Sequence, residues 1–229
     1  MSKKKYLFII AQCIFFISAC TPQGTKNSAD IKIIETIVNG ENLYIPHAYL
    51  KFGYTSVGDK SGFLQAYYPG SSPVPGDPKE LFKQGEWYKN VRILFTNYPK
   101  PNPQGVLQNN IETQKTDKTI GEEYGLVHLT QSDQDQAFHR DIWVDSFDDG
   151  SFIRCSKKTD ADDPVQICEH LFNIGQTSLS ISYDKRLLPE WKLIKKNVWA
   201  MYESFKSPKT AIAYITEFYP NPQAQGKMR

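Results

Sequence analysis

The chain has 229 residues, 27 of them basic and 25 acidic, and 13% of its side chains are aromatic, mostly Tyr and Phe. A formal charge of +2 makes no electrostatic case for nucleic acid, so that partner class is set aside. The aromatic content favours strands over helices, and the length suffices for one good core or two small ones.

Residues 1 to 19 divide into three blocks. Lys3, Lys4 and Lys5 make a positive start. Tyr6 to Ile17 is an apolar run interrupted mainly by Gln12. It is shorter than the roughly 20 residues of a spanning helix and suits the apolar region of a secretory signal. Ile17-Ser18-Ala19-Cys20 then supplies an aliphatic residue, two small ones and a cysteine. In that register the segment resembles the lipobox of bacterial lipoproteins, with all four places filled. The resemblance implies that residues 1–19 are removed as a signal peptide. It also implies that Cys20 receives a diacylglyceryl group and its new amino terminus an acyl chain such as palmitate. Two or more chains anchor stably where one is marginal. Thr21 in place of Asp implies an outer-membrane destination, with the domain facing the periplasm. A plain secretory signal with an incidental cysteine is the alternative.

Processing changes the charge. Three lysines leave with the signal and no acid does, so the mature chain carries 24 − 25 = −1. Of the four cysteines, Cys13 leaves and Cys20 is acylated, which leaves Cys155 and Cys168. In an oxidising periplasm an isolated pair usually bonds, and a loop of that size contributes about 3 kcal/mol in the chain-entropy model. Two free buried thiols are the alternative.

Residues 20–30 read as a lipidated tether, polar and without an apolar period. Residues 31–218 read as a β-rich globular domain, with two halves meeting near residue 110 as the other division, and 219–229 as a flexible tail. Along the domain, IKIIETIV and ENLYIP flank Asn39-Gly40, the strongest short-range hairpin signal. Ala48 to Tyr54 and Gly62 to Tyr68 are further strand candidates. Pro69 to Lys79, with four prolines and two glycines, excludes helix and central strand and reads as an exposed loop. VRILFTNY, within Trp87 to Tyr98, is a strand, and Lys100 to Asn110 reads as a second Pro-rich loop. From Glu122 to Cys155 consecutive antiparallel strands are expected. Tyr124 to Leu129 is one, and Phe138 to Phe147 is another, in which Phe138, Ile142, Val144 and Trp143 compete for the core side. SFIRC returns after Asp148-Asp149-Gly150. CEHLFNIG and SLSISYD form a hairpin through Gly175, so that Cys155 and Cys168 would tie adjacent strands across an acidic loop.

The period then changes. Trp191, Ile194, Val198, Met201 and Phe205 recur at spacings of three and four, one face of a helix running to about Ser204. Pro189 is placed at its first position and Lys192, Lys195 and Lys196 on its polar side. TAIAYITEFY reads as a last strand. The fold class expected is α+β: β-rich antiparallel sheets with one long C-terminal helix.

Motifs for catalysis are absent from the sequence. His47, His128, His139 and His170 share no helical i, i+4 spacing, and no metal ligand set is assigned. Cys168-Glu169-His170 puts Cys168 and His170 on one strand face, but a disulfide-bonded sulfur does not ligate metal. Asp141, Asp145, Asp148, Asp149, Asp160, Asp162 and Asp163 lack the spacing and closing Glu of an EF-hand. No Gly-x-Ser-x-Gly elbow or phosphate-cradling glycine loop occurs, and Ser146 and Ser178 have no evident base. No cofactor is assigned and the chain is read as a non-enzyme.

A tethered, non-catalytic periplasmic domain most simply binds another protein. Cys155, Cys168-Glu169-His170-x-Phe172, Ser180-Ile181-Ser182-Tyr183 and Leu188-x-x-Trp191-x-x-Ile194, with Ile45-Pro46-x-x-Tyr49-Leu50, resemble small periplasmic lipoproteins of Gram-negative bacteria. Some of those are similar to immunity proteins against effectors of type VI secretion systems. The resemblance implies a protein partner, a secreted lipase or cell-wall enzyme, and transfers no contact residue. An envelope structural or assembly lipoprotein is the rival reading. Independently, the two Pro-rich loops lose less entropy than freer ones when a partner immobilises them, tolerated insertions being the alternative reading. Tyr67, Tyr68, Trp87 and Tyr88 lie near them in sequence as candidate aromatic anchors.

Overall fold

The computed structural model describes residues 31–50, 61–74, 81, 83–96, 103–113, 118–130, 140–156 and 165–218. Its organising element is a nine-stranded antiparallel sheet, flanked by a separate two-stranded hairpin.

The hairpin joins β1 (Ile33–Val38) to β2 (Glu41–Pro46) through Asn39 and Gly40, both at positive φ. That is the backbone a two-residue I′ turn requires, and Asn-Gly supplies it at low cost. The large sheet is built from β3 (Ser61–Tyr67), β4 (Ser72–Pro73), β5 (Asn90–Thr96), β6 (Lys118–Glu123), β7 (Leu126–Thr130), β8 (Arg140–Ser146), β9 (Ser151–Ser156), β10 (Ile167–Ile174) and β11 (Thr177–Asp184). Their spatial order is β4-β3-β5-β11-β10-β9-β8-β7-β6. Neighbours are mostly sequential, and the departure is at β5, which pairs with β11.

Both faces of the sheet are covered, which explains a feature of β8 that alternation alone misreads. Ile142 and Val144 pack on one face with Leu129, Phe152 and Leu107. Trp143 is equally buried on the other, in the main core. Neighbouring positions therefore do not compete for a single core side. Phe138 lies outside the described residues.

Among the described residues, three helices do the covering. The first, α1 (Pro103–Thr113), lays Leu107 and Ile111 against β9 and β10. The expected second Pro-rich loop is therefore corrected from Pro103 onward: proline is tolerated at a first helical position, and Leu107, Asn110 and Ile111 form the inward stripe. Lys100 to Asn102 lie outside the described residues. On the opposite face, α2 (Trp191–Ser204) buries Trp191, Ile194, Val198, Met201 and Tyr202, each position stabilising by about 2 kcal/mol through apolar burial. Pro189 is corrected to the 3-10 turn Lys185–Glu190 that precedes α2.

The last helix, α3 (Pro208–Phe218), replaces the expected strand TAIAYITEFY. The sidechain oxygen of Ser207 accepts from the Thr210 amide at 3.2 Å, an N-cap directly before Pro208. Ala211 and Ile215, four apart, turn inward. The hairpin leans on this region: the Tyr44 amide donates to the Phe205 carbonyl at 2.7 Å, and the Tyr202 hydroxyl donates to Glu41 at 2.8 Å.

Two further strand expectations are revised. His47–Tyr49 is a 3-10 turn, with Tyr49 buried and its hydroxyl bonded to the Ser71 carbonyl at 3.0 Å; residues 51–54 lie outside the described ones. Tyr124, read as the start of a strand, is in the turn between β6 and β7 at positive φ, followed by Gly125. The α+β class with antiparallel sheets and a long C-terminal helix is what the structure has. So is the bond between Cys155 and Cys168, which face each other across β9 and β10.

Candidate partner-binding site

Antiparallel pairing brings distant aromatics together at one end of the sheet. β3 runs into Tyr67 and Tyr68, and its neighbour β5 begins just after the 3-10 turn Trp87–Lys89. Tyr67 is opposite Asn90, and the Tyr68 amide donates to the Lys89 carbonyl at 2.8 Å. Some twenty residues of sequence thus close into direct contact. β11, on the far side of β5, ends at Asp184, so the turn Lys185–Glu190 falls beside the same group. All four sequence candidates, Tyr67, Tyr68, Trp87 and Tyr88, meet here, half-buried.

Charged side chains fix their arrangement. The Glu86 carboxylate accepts from the Tyr67 hydroxyl and from Lys89 Nζ, each at 2.6 Å. Burial, and then the Glu86 hydrogen bond, raise the Tyr67 hydroxyl above its ordinary pKa. The bond from Lys89, and then that from Tyr67, hold the Glu86 carboxyl below its ordinary value. Lys89 also lies 5.8 Å from the Tyr67 ring centre and 6.0 Å from that of Tyr88.

Arg186 is the centre of the other half. Its guanidinium stands 4.4 Å from the Tyr88 ring centre and 4.8 Å from that of Trp87. Asp184 accepts from its Nε at 2.8 Å and from Nη2 at 3.2 Å, a forked pair that holds the plane in place. The Asp184 side chain is 4% exposed and that of Arg186 52%, so the fork is anchored at its base and open at its tip. Sequence reasoning found the aromatics but not Arg186, Asp184, Glu86 or Lys89. No spacing rule links residue 186 to residue 88; only the β5–β11 pairing does.

The two Pro-rich segments contribute less than expected. In the first, Ser72–Pro73 pairs with β3, and Ser71, Pro73 and Val74 are buried, which leaves Pro69 and Gly70 exposed. Residues 75–79 lie outside the described ones. The second is α1.

Another polar cluster has the residue types of nucleophilic catalysis but not the geometry. Lys195 Nζ donates to Asp145 at 2.7 Å and to Ser151 Oγ at 3.2 Å. Ser151 Oγ donates to Asp145 at 3.2 Å and lies 3.5 Å from His170 Nε2. A triad needs its carboxylate on the other imidazole nitrogen. Here His170 Nδ1 is buried without a hydrogen bond, and Asp145 holds the serine and lysine instead. Ser151 is 1% exposed and His170 0%, so neither can reach a substrate. Burial first, and the Lys195 charge second, hold His170 well below the ordinary imidazole pKa, so it is a neutral core residue. Ser146 and Ser178, singled out from sequence, bond to the Asp149 amide and to Asn173. Among the described residues no group of His, Cys, Asp and Glu is arranged to hold a metal ion, and no helix is long and apolar enough to cross a membrane.

No family model matches the chain, and no curated protein matches it. Among solved structures, its fold is similar to that of Smlt3025, an immunity protein of the Stenotrophomonas maltophilia type IV secretion system. The two superpose with a TM-score of 0.57 at 16% identity, over 73% of this chain and 90% of that one. At that identity the likeness is one of fold.

Proposed function

We propose that this protein is an immunity lipoprotein: a periplasmic domain, tethered to the outer membrane through Cys20, that binds and neutralises an effector enzyme injected by a secretion system. The observation that carries the reading is the Tyr67–Tyr68–Trp87–Tyr88 cluster with Arg186 held beside it. Tyr, Trp and Arg are the residue types that dominate interface energetics, and a fork pre-ordered by Asp184 loses little entropy on binding. The fold it shares with a secretion-system immunity protein supports the same reading.

Position in the cell follows from the partner's chemistry. An effector that attacks lipid or cell wall acts in the periplasm, so its inhibitor must be held there. The Cys155–Cys168 bond accords with an oxidising compartment. The sequence resemblance points to a type VI effector, whereas the structural relative belongs to a type IV system.

The test is protection. A candidate type VI or type IV effector enzyme, directed to the periplasm, should stop growth alone and fail to do so beside this protein. Purified mature domain should inhibit that enzyme at one-to-one stoichiometry, and Arg186→Ala should weaken inhibition. Failure to protect against effectors of either system would refute the reading. For the anchor, Cys20→Ser should abolish acyl labelling and release the domain from membranes; unchanged labelling would refute it.

A further inference from the structure

The solvent side of α2 carries an open, shallow depression of about 570 Å3, bordered by Trp191 and Trp199, with Lys192, Lys195, Lys196 and Asp145 around it. The surface it exposes is mostly apolar, although four of its seven lining residues are charged. Five large apolar side chains are exposed among the described residues, and two of them, Trp199 and Tyr124, stand at or beside this depression. Trp199 lines it. Tyr124 is held next to it, its carbonyl accepting from Trp191 Nε1 at 3.0 Å. Isolated exposed apolar residues need no explanation, but a group around a concavity does.

Charge identifies the occupant. Lys195 is matched by Asp145 at 2.7 Å, whereas Lys192 and Lys196 have no acidic partner among the described residues. Lys192 Nζ instead lies 5.3 Å from the Trp191 ring centre. Two uncompensated ammonium groups beside a mostly apolar depression fit something with an apolar body and negative charge next to it. We infer that this depression is a second contact site, which seats an acidic, aromatic-bearing segment of the protein partner. The inference deepens the binding reading above and rests on it. A protein partner of the kind proposed above presents side chains to such a depression. A peptide side chain fills it while flanking carboxylates reach Lys192 and Lys196, the complementarity that steers association.

The test needs no effector. The mature domain is titrated with a short peptide of alternating Glu and Phe, followed by tryptophan fluorescence. Peptides in which Lys replaces Glu, or Ala replaces Phe, serve as controls. The Glu–Phe peptide should bind at least about tenfold tighter than either control. The double variant Lys192→Glu/Lys196→Glu should lose about tenfold or more of that affinity, as should Trp199→Ala, while melting like the parent, since these side chains face solvent. Equal binding of the Lys–Phe peptide, or full affinity in the double variant, would overturn the inference. So would phosphatidylglycerol vesicles that bind the parent but not the double variant when no peptide binds; the surface would then belong to lipid. Peptide binding without protection in cells would sink the immunity reading alone, and protection without peptide binding would sink only this one.

Discussion

Replacing Cys155 and Cys168 together by Ala removes a covalent tie between directly opposed positions of β9 and β10. The two residues are 13 apart in sequence, and closing a loop of that length restricts the unfolded chain by about 3 kcal/mol in the chain-entropy model. Both sulfurs are fully buried in the main core, so their loss removes packing as well and adds to that figure. In a chain of this size a destabilisation of about 3 kcal/mol lowers the melting temperature by roughly 6–12 °C. Calorimetry on the double variant and the parent checks this directly. Burial gives a second readout. A reductant cannot reach a sulfur with no exposed surface, so native protein should keep its bond under reducing conditions and lose it only as urea opens the sheet. A double variant melting within about 2 °C of the parent would refute the loop argument. Rapid reduction of native protein would refute the burial argument.

His170 makes stability depend on pH with a definite sign. Its folded pKa is depressed, so below the unfolded value of about 6.5 the unfolded chain takes up a proton that the folded one does not. Its stabilising share is therefore full above about pH 6.5 and falls as pH drops, by about 1.4 kcal/mol per unit. Between about pH 7.5 and 5.5 the unfolding free energy from urea titrations should fall by about 1.4 kcal/mol less in His170→Leu than in the parent; the same fall in both proteins would contradict the assignment. Ser207→Ala, which deletes the cap of α3, should cost about 1 kcal/mol in urea unfolding. Trp87→Ala and Arg186→Ala should each weaken effector inhibition by about tenfold or more without altering the melting temperature by more than a few degrees. Asp184→Asn, which loosens the fork, should lose less than Arg186→Ala.

What the sequence determined by itself lies where local chemistry is sufficient. Asn39-Gly40 and Gly175 dictate their turns because few other residues tolerate positive φ there. The three-four spacing from Trp191 to Phe205 dictates a helix with one buried face. Cys155 and Cys168 pair across adjacent strands. Ser207-Pro208 was an equally local signal for α3, outweighed by the β-branched and aromatic run that follows it. Only tertiary structure decided the rest. α1 has few apolar residues, and its Leu107 gains a partner only once β9 and β10 present Phe152 and Leu171. Trp143 and Ile142 are both interior because helices cover both sides of the sheet, a fact not written in β8 itself. The aromatic cluster was legible as residue types, but Arg186 reaches Trp87 and Tyr88 only because β11 pairs with β5 across more than eighty residues of chain. Turns and caps are settled by the few neighbours that fix φ and the local hydrogen bonds. Burial and binding geometry depend on which distant strands meet, and short-range pattern does not encode that.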